Sequence, residues 1–215
     1  MQKEGSVQKS PILYKKLTNM AAHQGKLVIG ILGTHKGCGV THLGIMLAHY
    51  LSDYMGYRTA LLECYPQKDI QQLQNYIYQD DVAAKELEVF KIQHVSYHRN
   101  VKEQNLPEVI GGEYDGVILD LGSDFARNRN EFLRCDKRIV VSSLSAWKRH
   151  ELDQFIKNSS YIKSSSQWIY MTPFSQNRDI KEASRDFHRE IYGIPYEADP
   201  FTISKSSLQL FQKLI

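Results

Sequence analysis

The chain has 215 residues and a mass of 24.9 kDa, enough for one domain with a substantial core and short for two. Apolar residues make up 42% and charged residues 24%, which excludes a disordered chain, and a net charge of +3 is too small for a dedicated nucleic-acid binder. No apolar run approaches the roughly 18 residues of a transmembrane helix, and the N-terminus lacks the apolar stretch of a secretory signal.

The first part of the chain predicts a polar arm followed by a strand, a glycine-rich loop and a helix. Residues 1–25 are polar and predict a solvated arm with at most one helical turn. KLVIGILGT (26–34) is a continuous apolar run, typical of a strand buried on both faces of a parallel sheet. HKGCGVTH (35–42) follows, and apolar residues then recur at helical spacing from Leu43 to Tyr54.

Downstream, apolar runs that predict strands alternate with polar segments that predict helices. The predicted strands are RTALLECYPQ (58–67), LEVFKIQHVSYH (87–98), EYDGVILDLGSD (113–124), the start of KRIVVSSLSAWKRHELDQF (137–155) and QWIYMTPF (167–174). The predicted helices are residues 70–87, the end of 137–155, residues 177–193 and residues 204–215 with a cap at Ser204, and IPYEADP (194–200) is predicted to be extended. This alternation predicts an α/β domain with a largely parallel sheet.

The three cysteines are odd in number, sparse, and without CxxC spacing. In a chain without a secretory signal they indicate reduced thiols in a cytoplasmic protein, and no cysteine-based metal site. The eight histidines include no HExxH pair, so no zinc site of that kind is predicted.

The glycine loop after the first strand carries the functional argument. Backbone N–H groups in such a loop, together with the positive end of the next helix, attract an anion. Gly37 and Gly39 would let a phosphate approach the backbone, and Thr41 would supply a hydroxyl for Mg²⁺. Of the P-loop pattern GxxxxGK[ST], Gly39 and Thr41 match, whereas Thr34 replaces the first glycine and Val40 the lysine.

Further segments show that the chain resembles the ParA/MinD family of P-loop ATPases. The family loop KGGxGKT falls without gaps on HKGCGVT (35–41). In the same order follow Leu47-Ala48, LLECYPQ (61–67) for LLIDxDPQ, YDGVILDL (114–121) for YDxVIIDxP, and Ile-Pro-Tyr (194–196). The resemblance implies one three-layer P-loop NTPase-like domain over residues 26–215, with a mostly parallel sheet flanked by helices.

The resemblance also implies a set of site residues, with ATP or ADP and Mg²⁺ as ligands. The implied nucleotide-binding residues are His35, Lys36, Gly37, Cys38, Gly39, Val40, Thr41 and His42. Thr41 and Asp120 would hold Mg²⁺, and Glu63 and Asp120 would act in catalysis if the protein is active.

Several positions depart from the family pattern. Val40 replaces the P-loop lysine, and His35 replaces the lysine that reaches a dimer partner's nucleotide. Glu63 and Tyr65 stand where the family has aspartates, and the asparagine near adenine is absent from residues 171–173. Because one lost electrostatic contact costs about 2.7–4 kcal/mol of transition-state stabilisation, these departures predict little or no hydrolysis. Whether a nucleotide binds at all stays open.

The favoured function is therefore a degenerate ParA/MinD-like protein, nucleotide-binding or a pseudo-ATPase, that acts as a positioning or assembly factor. The TadZ/CpaE-like proteins of pilus assembly, which have atypical P-loops, are one such group, and cell-pole or septum localisation is another role. A homodimer with a protein partner is implied, with membrane contact at most peripheral.

Three alternatives stay open. The first is an active ATPase in which Lys36 replaces the missing charges. The second is a relative of bacterial tyrosine kinases, although the chain ends in FQKLI without a tyrosine cluster. The third is a DNA-partition protein with a basic face, formed by Arg127, Arg129, Arg134, Lys137 and Arg138.

Overall fold

The structure, a computed structural model, describes residues 25–65 and 68–215. The strands of this part are β1 (Leu27–Gly33), β2 (Thr59–Glu63), β3 (Val89–Ile92), β4 (Val95–His98), β5 (Gly116–Asp120), β6 (Lys137–Val141), β7 (Ile169–Thr172) and β8 (Ile191–Gly193). The α-helices are α1 (Val40–His49), α2 (Asp69–Ile77), α3 (Val82–Glu86), α4 (Leu106–Gly111), α5 (Phe125–Arg134), α6 (Arg149–Ser159), α7 (Asn177–Phe187) and α8 (Lys205–Leu214). A π-helical turn, Tyr50–Tyr54, continues α1.

The described strands form one eight-stranded sheet in the order β3-β4-β2-β5-β1-β6-β7-β8. Every neighbouring pair in it is parallel except β3 with β4. Helices cover both faces, so the predicted three-layer α/β fold with a mostly parallel sheet is confirmed. The predicted continuous burial of the first strand is also confirmed, since Ile29, Ile31 and Leu32 are fully buried.

Two separate apolar clusters fill the space between the sheet and its helices. On one face, β1 contributes Ile29 and Ile31, which join residues of α1, α2 and α8. On the other face, Leu32 joins residues of α4, α5, α6 and α7. Gly30 permits a close helix contact on that second face, because a Cβ there would lie 2.6 Å from Cys135 Sγ.

Three element predictions were wrong in detail. The single strand predicted over residues 87–98 is the antiparallel β3–β4 hairpin, with Gln93 at a positive φ of 52° in its turn. The helix predicted over residues 177–193 ends at Phe187, and Ile191–Gly193 instead pairs with β7. The helix predicted over residues 70–87 is interrupted between α2 and α3.

The C-terminal helix confirms its predicted cap and packs against the core. The Ser204 side chain accepts a hydrogen bond from the Ser207 N–H, and Phe211 is buried against the first apolar cluster. None of the helices within residues 25–65 and 68–215 is long and apolar enough to cross a bilayer. The predictions for residues 1–24 and for Pro66-Gln67 lie outside the described residues.

Candidate phosphate-loop site

The loop between β1 and α1 lies at the centre of the sheet. β1 pairs with β5 on one side and β6 on the other, and in an open parallel sheet ligands bind at the carboxyl ends of such strands. Gly37 and Gly39 have φ values of 78° and 101°, a region that favours glycine. Gly39 is the residue before α1, and its carbonyl accepts the first helical hydrogen bond from the Leu43 N–H.

The base of the loop is filled by apolar side chains. A Cβ on Gly33 would overlap Cys38 Sγ and lie 3.0 Å from Val40 Cγ2, so both side chains pack against this glycine. Cys38 and Val40 are buried, and burial raises the pKa of the Cys38 thiol. Val40 therefore contributes packing at the position where the family pattern has a cation.

A hydroxyl and a carboxylate meet behind the loop. Thr41 Oγ1 donates to Asp120 Oδ2 over 2.6 Å, and the Gly122 N–H donates to Asp120 Oδ1 over 3.0 Å. Asp69 Oδ2 lies 3.5 Å from Thr41 Oγ1. Burial raises the pKa of Asp120, and the bonds from Thr41 and Gly122 oppose this effect. These hard oxygen donors are the type that Mg²⁺ prefers, so the set fits this ion.

Glu63 ends the neighbouring strand but has different partners. Glu63 Oε1 accepts from the Ile70 N–H over 3.2 Å and Oε2 from the Asn100 N–H over 3.3 Å. Burial raises the pKa of Glu63, and the hydrogen bonds from these two backbone N–H groups partly offset that rise. Glu63 lines a separate cavity of about 620 Å³ rather than the loop cavity. Both of its oxygens therefore hold backbone in place.

The other positions where the family pattern has a charged residue, or where this chain offers one, have different surroundings. His35 Nδ1 lies 3.1 Å from Thr34 Oγ1, and its pKa is lowered by burial and by the nearby charge of Lys148, so the ring is neutral at pH 7. Lys36 is exposed and borders the loop cavity. Tyr65, at a family aspartate position, packs beneath the Arg127 guanidinium, 5.6 Å from the ring centre.

Three cavities meet at Gly39. The loop itself encloses about 150 Å³ together with Asp69, Gly122 and Ser123. A second cavity of about 550 Å³ lies beside Trp147 and Lys148. A third, of about 320 Å³, lies toward the residues that follow β8. The structure thus brings all predicted nucleotide-binding residues around the loop cavity except His42, which lines the third cavity.

Sequence reasoning missed several residues around the loop. Asp69 begins α2 and resembles an ordinary acidic residue in a first helical turn, so no local signal marked its approach to Thr41. Trp147 and Phe174 are 76% and 84% exposed, and both border the second cavity. Large exposed aromatic side chains are not marked by any sequence periodicity.

This fold is that of the ParA- and MinD-type P-loop ATPases. A plasmid partition protein from Borrelia burgdorferi bound to AMPPNP matches with a TM-score of 0.64 and 15% identity, over 89% of this chain and 97% of that one. MinD from Aquifex aeolicus matches with a TM-score of 0.58 and 16% identity, over 80% and 82% of the two chains. The septum site-determining protein MinD from Pyrococcus horikoshii, complexed with Mg-ADP, matches with a TM-score of 0.53 and 17% identity, over 88% and 94%.

At these identities the likeness establishes the fold. No protein-family model matches the sequence, and no curated protein matches it.

Proposed function

We propose that this chain is a degenerate ParA/MinD-like protein that binds a nucleotide with Mg²⁺ on its loop and hydrolyses it slowly or not at all. The observation that carries the proposal is the contrast between Val40 and its neighbour Thr41. Thr41 keeps its contact with Asp120 at 2.6 Å, whereas Val40 is buried against Gly33 and supplies no charge. Backbone N–H groups and a metal ion suffice to hold the phosphates. Without a lysine at position 40, however, the negative charge that develops in the transition state is less stabilised, and hydrolysis is slow.

The residues present fit a nucleotide in part. Gly37 and Gly39 leave the backbone open to a phosphate, and Thr41 and Asp120 would hold Mg²⁺, which supplies positive charge to the phosphates when bound. Glu63, with both oxygens bonded to backbone, would position the loop before α2 rather than a water.

Nucleotide binding and nucleotide hydrolysis are tested separately, by two measurements on the same protein preparation. Calorimetric titration of ATP with and without Mg²⁺ is expected to give Mg²⁺-dependent binding tighter than about 1 mM. Phosphate release from Mg-ATP is expected to stay at the level of an Asp120→Asn variant. Absence of binding at millimolar ATP contradicts the nucleotide proposal, and turnover well above the variant contradicts the pseudo-ATPase proposal.

The second candidate is an active ATPase that uses Lys36. It is favoured by the position of Lys36, which is exposed and borders both the loop cavity and the adjoining 550 Å³ cavity. Under this alternative, Mg-ATP turnover is measurable and Lys36→Ala abolishes it. Lys91→Ala, on an exposed position of β3, is the matched control and leaves turnover unchanged.

The proposed role is that of a cytoplasmic positioning or assembly factor acting as a homodimer. Support comes from the fold, which matches structures named for plasmid partition and septum-site determination. The exposed Trp147 and Phe174 beside the loop give a surface on which a second copy would bury apolar area. Sedimentation velocity with and without Mg-ATP tests the dimer, and Trp147→Ser is expected to shift the distribution to monomer.

The DNA-partition alternative has less support from the described contacts. The basic side chains after β5 are each engaged within the chain: Arg127 with Tyr65, Arg129 with Tyr161, Arg134 with Glu131, Lys137 with the Leu214 carbonyl, and Arg138 with the Leu133 and Cys135 carbonyls. Arg134 is paired with a carboxylate, and the other four side chains would have to give up contacts with neutral groups of their own chain to reach a phosphate.

A further inference from the structure

We propose that residues 9–20 of this chain, which lie outside the described residues, bind within the same molecule to an exposed apolar surface on α2, α3 and β3. The inference does not depend on the proposed nucleotide function. It is carried by the grouping of exposed apolar side chains on these elements and by the charge and apolar spacing of residues 1–24. The side chains of this 76–89 surface are Tyr76, Ile77, Val82, Leu87 and Val89.

Exposed apolar side chains are concentrated on the 76–89 surface. Among the residues that the structure describes, ten large apolar side chains are exposed, and five of them lie between positions 76 and 89. Tyr76 and Val82 are each 74% exposed, and none of the five side chains joins the two apolar clusters of the core. Single exposed apolar residues are ordinary, whereas a group of them marks a binding surface.

Hydrogen bonds join the three elements of this surface into one unit. The buried Gln74 amide donates to the Ala84 carbonyl over 2.7 Å and to the Leu87 carbonyl over 3.1 Å, so α2 is bonded to α3 and to the residue that follows it. The Tyr78 hydroxyl donates to the Lys91 carbonyl over 3.0 Å, which joins the end of α2 to β3. The apolar side chains of the surface therefore belong to one connected support.

The outer edge of β3 favours a partner that packs through side chains over one that adds a strand. β3 ends the sheet, and the Arg99 N–H donates to the Glu88 carbonyl. Because inward and outward bonding alternate along an antiparallel pair, the backbone groups of Val89 and Lys91 point outward. The Tyr78 hydroxyl already occupies the Lys91 carbonyl, and an added strand would have to break that bond.

The 76–89 surface and the first residues of the sequence carry opposite charge. Residues 1–24 hold four lysines and one glutamate, a net charge of +3 that equals the formal net charge of the whole chain. The rest of the chain is therefore neutral overall. Residues 76–91 hold four carboxylates and two lysines, a net charge of −2. Opposite charge steers the two segments together and fixes their register. These charged residues are Asp80, Asp81, Lys85, Glu86, Glu88 and Lys91.

The apolar residues of the segment 9–20 predict one binding face. Leu13, Leu17 and Met20 recur at positions i, i+4 and i+7, the spacing of one side of a helix. Ser10-Pro11 precedes them, a pair typical of a helix start. A helix this short is marginal alone in water, so the sequence predicts at most one turn for the free arm. An apolar surface supplies the burial that such a segment lacks, and amphipathic segments bind apolar surfaces in this way.

The segment can reach the surface from the start of β1. Four strand spacings separate β1 from β3, about 19 Å in all. α2 begins with Asp69 near Thr41 and ends beside Lys91, so its end lies toward the sheet edge at which β1 begins. Nine steps of chain join Leu17 to Lys26, and they span up to about 30 Å when extended.

A covalent link favours the same molecule over a second copy. A short flexible link gives the segment an effective concentration of about 1 mM or more at the surface. A modest apolar contact is then enough for binding, whereas a separate molecule at micromolar concentration would need a much tighter one.

The test is hydrogen exchange of the full chain without nucleotide, measured at a low and a high protein concentration. The amides of residues 12–20 are expected to exchange about 10-fold or more slowly in the wild type than in the double variant Tyr76→Ser with Val82→Ser. Leu13→Ser with Leu17→Ser is expected to remove the protection from the other side of the contact. Lys15→Glu with Lys16→Glu is expected to reduce it, because the charges then repel.

Tyr161→Ser, on a 64% exposed tyrosine outside this surface, is the matched control and is expected to leave the protection unchanged. Exchange in β1 and α1 reports in each variant that the fold is intact. Equal protection at both concentrations supports binding within one molecule, whereas protection at the high concentration alone points to a second copy and overturns the inference. Exchange of residues 12–20 at the rate of a free peptide overturns it, and so does protection that survives both surface substitutions. Protection that appears only with anionic vesicles points to a membrane and overturns it as well.

Discussion

Glu63 and Asp120 are register partners at the ends of the neighbouring strands β2 and β5, yet their carboxylates serve different groups. Asp120 accepts from the Thr41 hydroxyl and the Gly122 N–H, next to the loop. Glu63 accepts two backbone N–H groups beyond β2. Both are buried, and burial raises the pKa of each. The Thr41 hydroxyl can accept from an amide as well as donate, whereas both partners of Glu63 are N–H donors only. Replacing the carboxylate by an amide is therefore expected to have opposite effects at the two positions.

Asp120→Asn is expected to stabilise the protein at pH 7 by about 1 kcal/mol. A carboxyl whose pKa is raised in the folded state adds stability below its unfolded pKa, and this stability is lost as the pH rises through the folded pKa. At pH 7 the ionised Asp120 thus opposes folding, and asparagine removes that opposition. Urea unfolding from pH 7 to pH 4 checks the prediction: the gain should shrink as the wild-type carboxyl becomes protonated.

The same variant is expected to lose the Mg²⁺-dependent part of nucleotide binding. A stability gain without this loss would show that Asp120 is a structural residue only.

Glu63→Gln is expected to destabilise the protein by about 1–3 kcal/mol. Each carboxylate oxygen accepts one backbone N–H, from Ile70 and Asn100, so an amide would place its NH₂ group against a donor. Urea unfolding at pH 7 measures the change. Gln72→Glu, on the exposed surface of α2, serves as the control for a single amide–carboxylate exchange, and equal effects at the two positions would contradict the assigned contacts.

Val40→Lys is expected to raise Mg-ATP turnover by about 10²-fold, because it returns a cation to the loop. It also removes the packing on Gly33, so the variant is expected to be less stable than wild type. Val40→Met is the matched control, since it lengthens the side chain without adding charge. Steady-state phosphate release is the measurement, and equal turnover in the two variants would show that a charge at position 40 is not what the loop lacks.

His49→Gln is expected to flatten the fall in stability below about pH 6.5. His49 is fully buried, with Nε2 2.9 Å from the Tyr97 hydroxyl and Nδ1 3.6 Å from Asp53 Oδ2. Burial lowers its pKa more than Asp53 raises it. A histidine with a lowered folded pKa adds stability above its unfolded pKa, and this stability is lost as the pH falls toward the folded pKa.

Urea unfolding of the wild type and of His49→Gln between pH 7.5 and 5 gives the slope of stability against pH for each protein. His150→Gln, on an exposed histidine of α6, is expected to leave the slope unchanged. Part of the slope should persist in His49→Gln, because burial also lowers the pKa of His98.

The parallel core of the fold was predictable because buried parallel strands are continuous apolar runs, as in β1 and β5. The β3–β4 hairpin was missed because its turn uses Gln93 at a positive φ, where sequence rules expect glycine or asparagine. β8 was missed because α7 ends on His188 in the left-handed region, without the glycine that usually marks such an end.

At the site, the glycine loop was predictable from its place between an apolar run and a helix, whereas Asp120 was named from the resemblance of residues 114–121 to the family motif. The packing of Val40 on Gly33 and the outward ring of Phe174 depend on backbone angles and neighbours that spacing does not encode.

The central place of β1 also governs when this loop can acquire its shape during folding. β1 finds its two neighbours far along the chain, with Leu27 opposite Gly116 and Ile29 opposite Lys137. Contacts of such long sequence separation form slowly, because a large loop must close first. During synthesis the strand therefore has no complete pairing until β6 has emerged, and the loop is among the later parts of the molecule to become ordered.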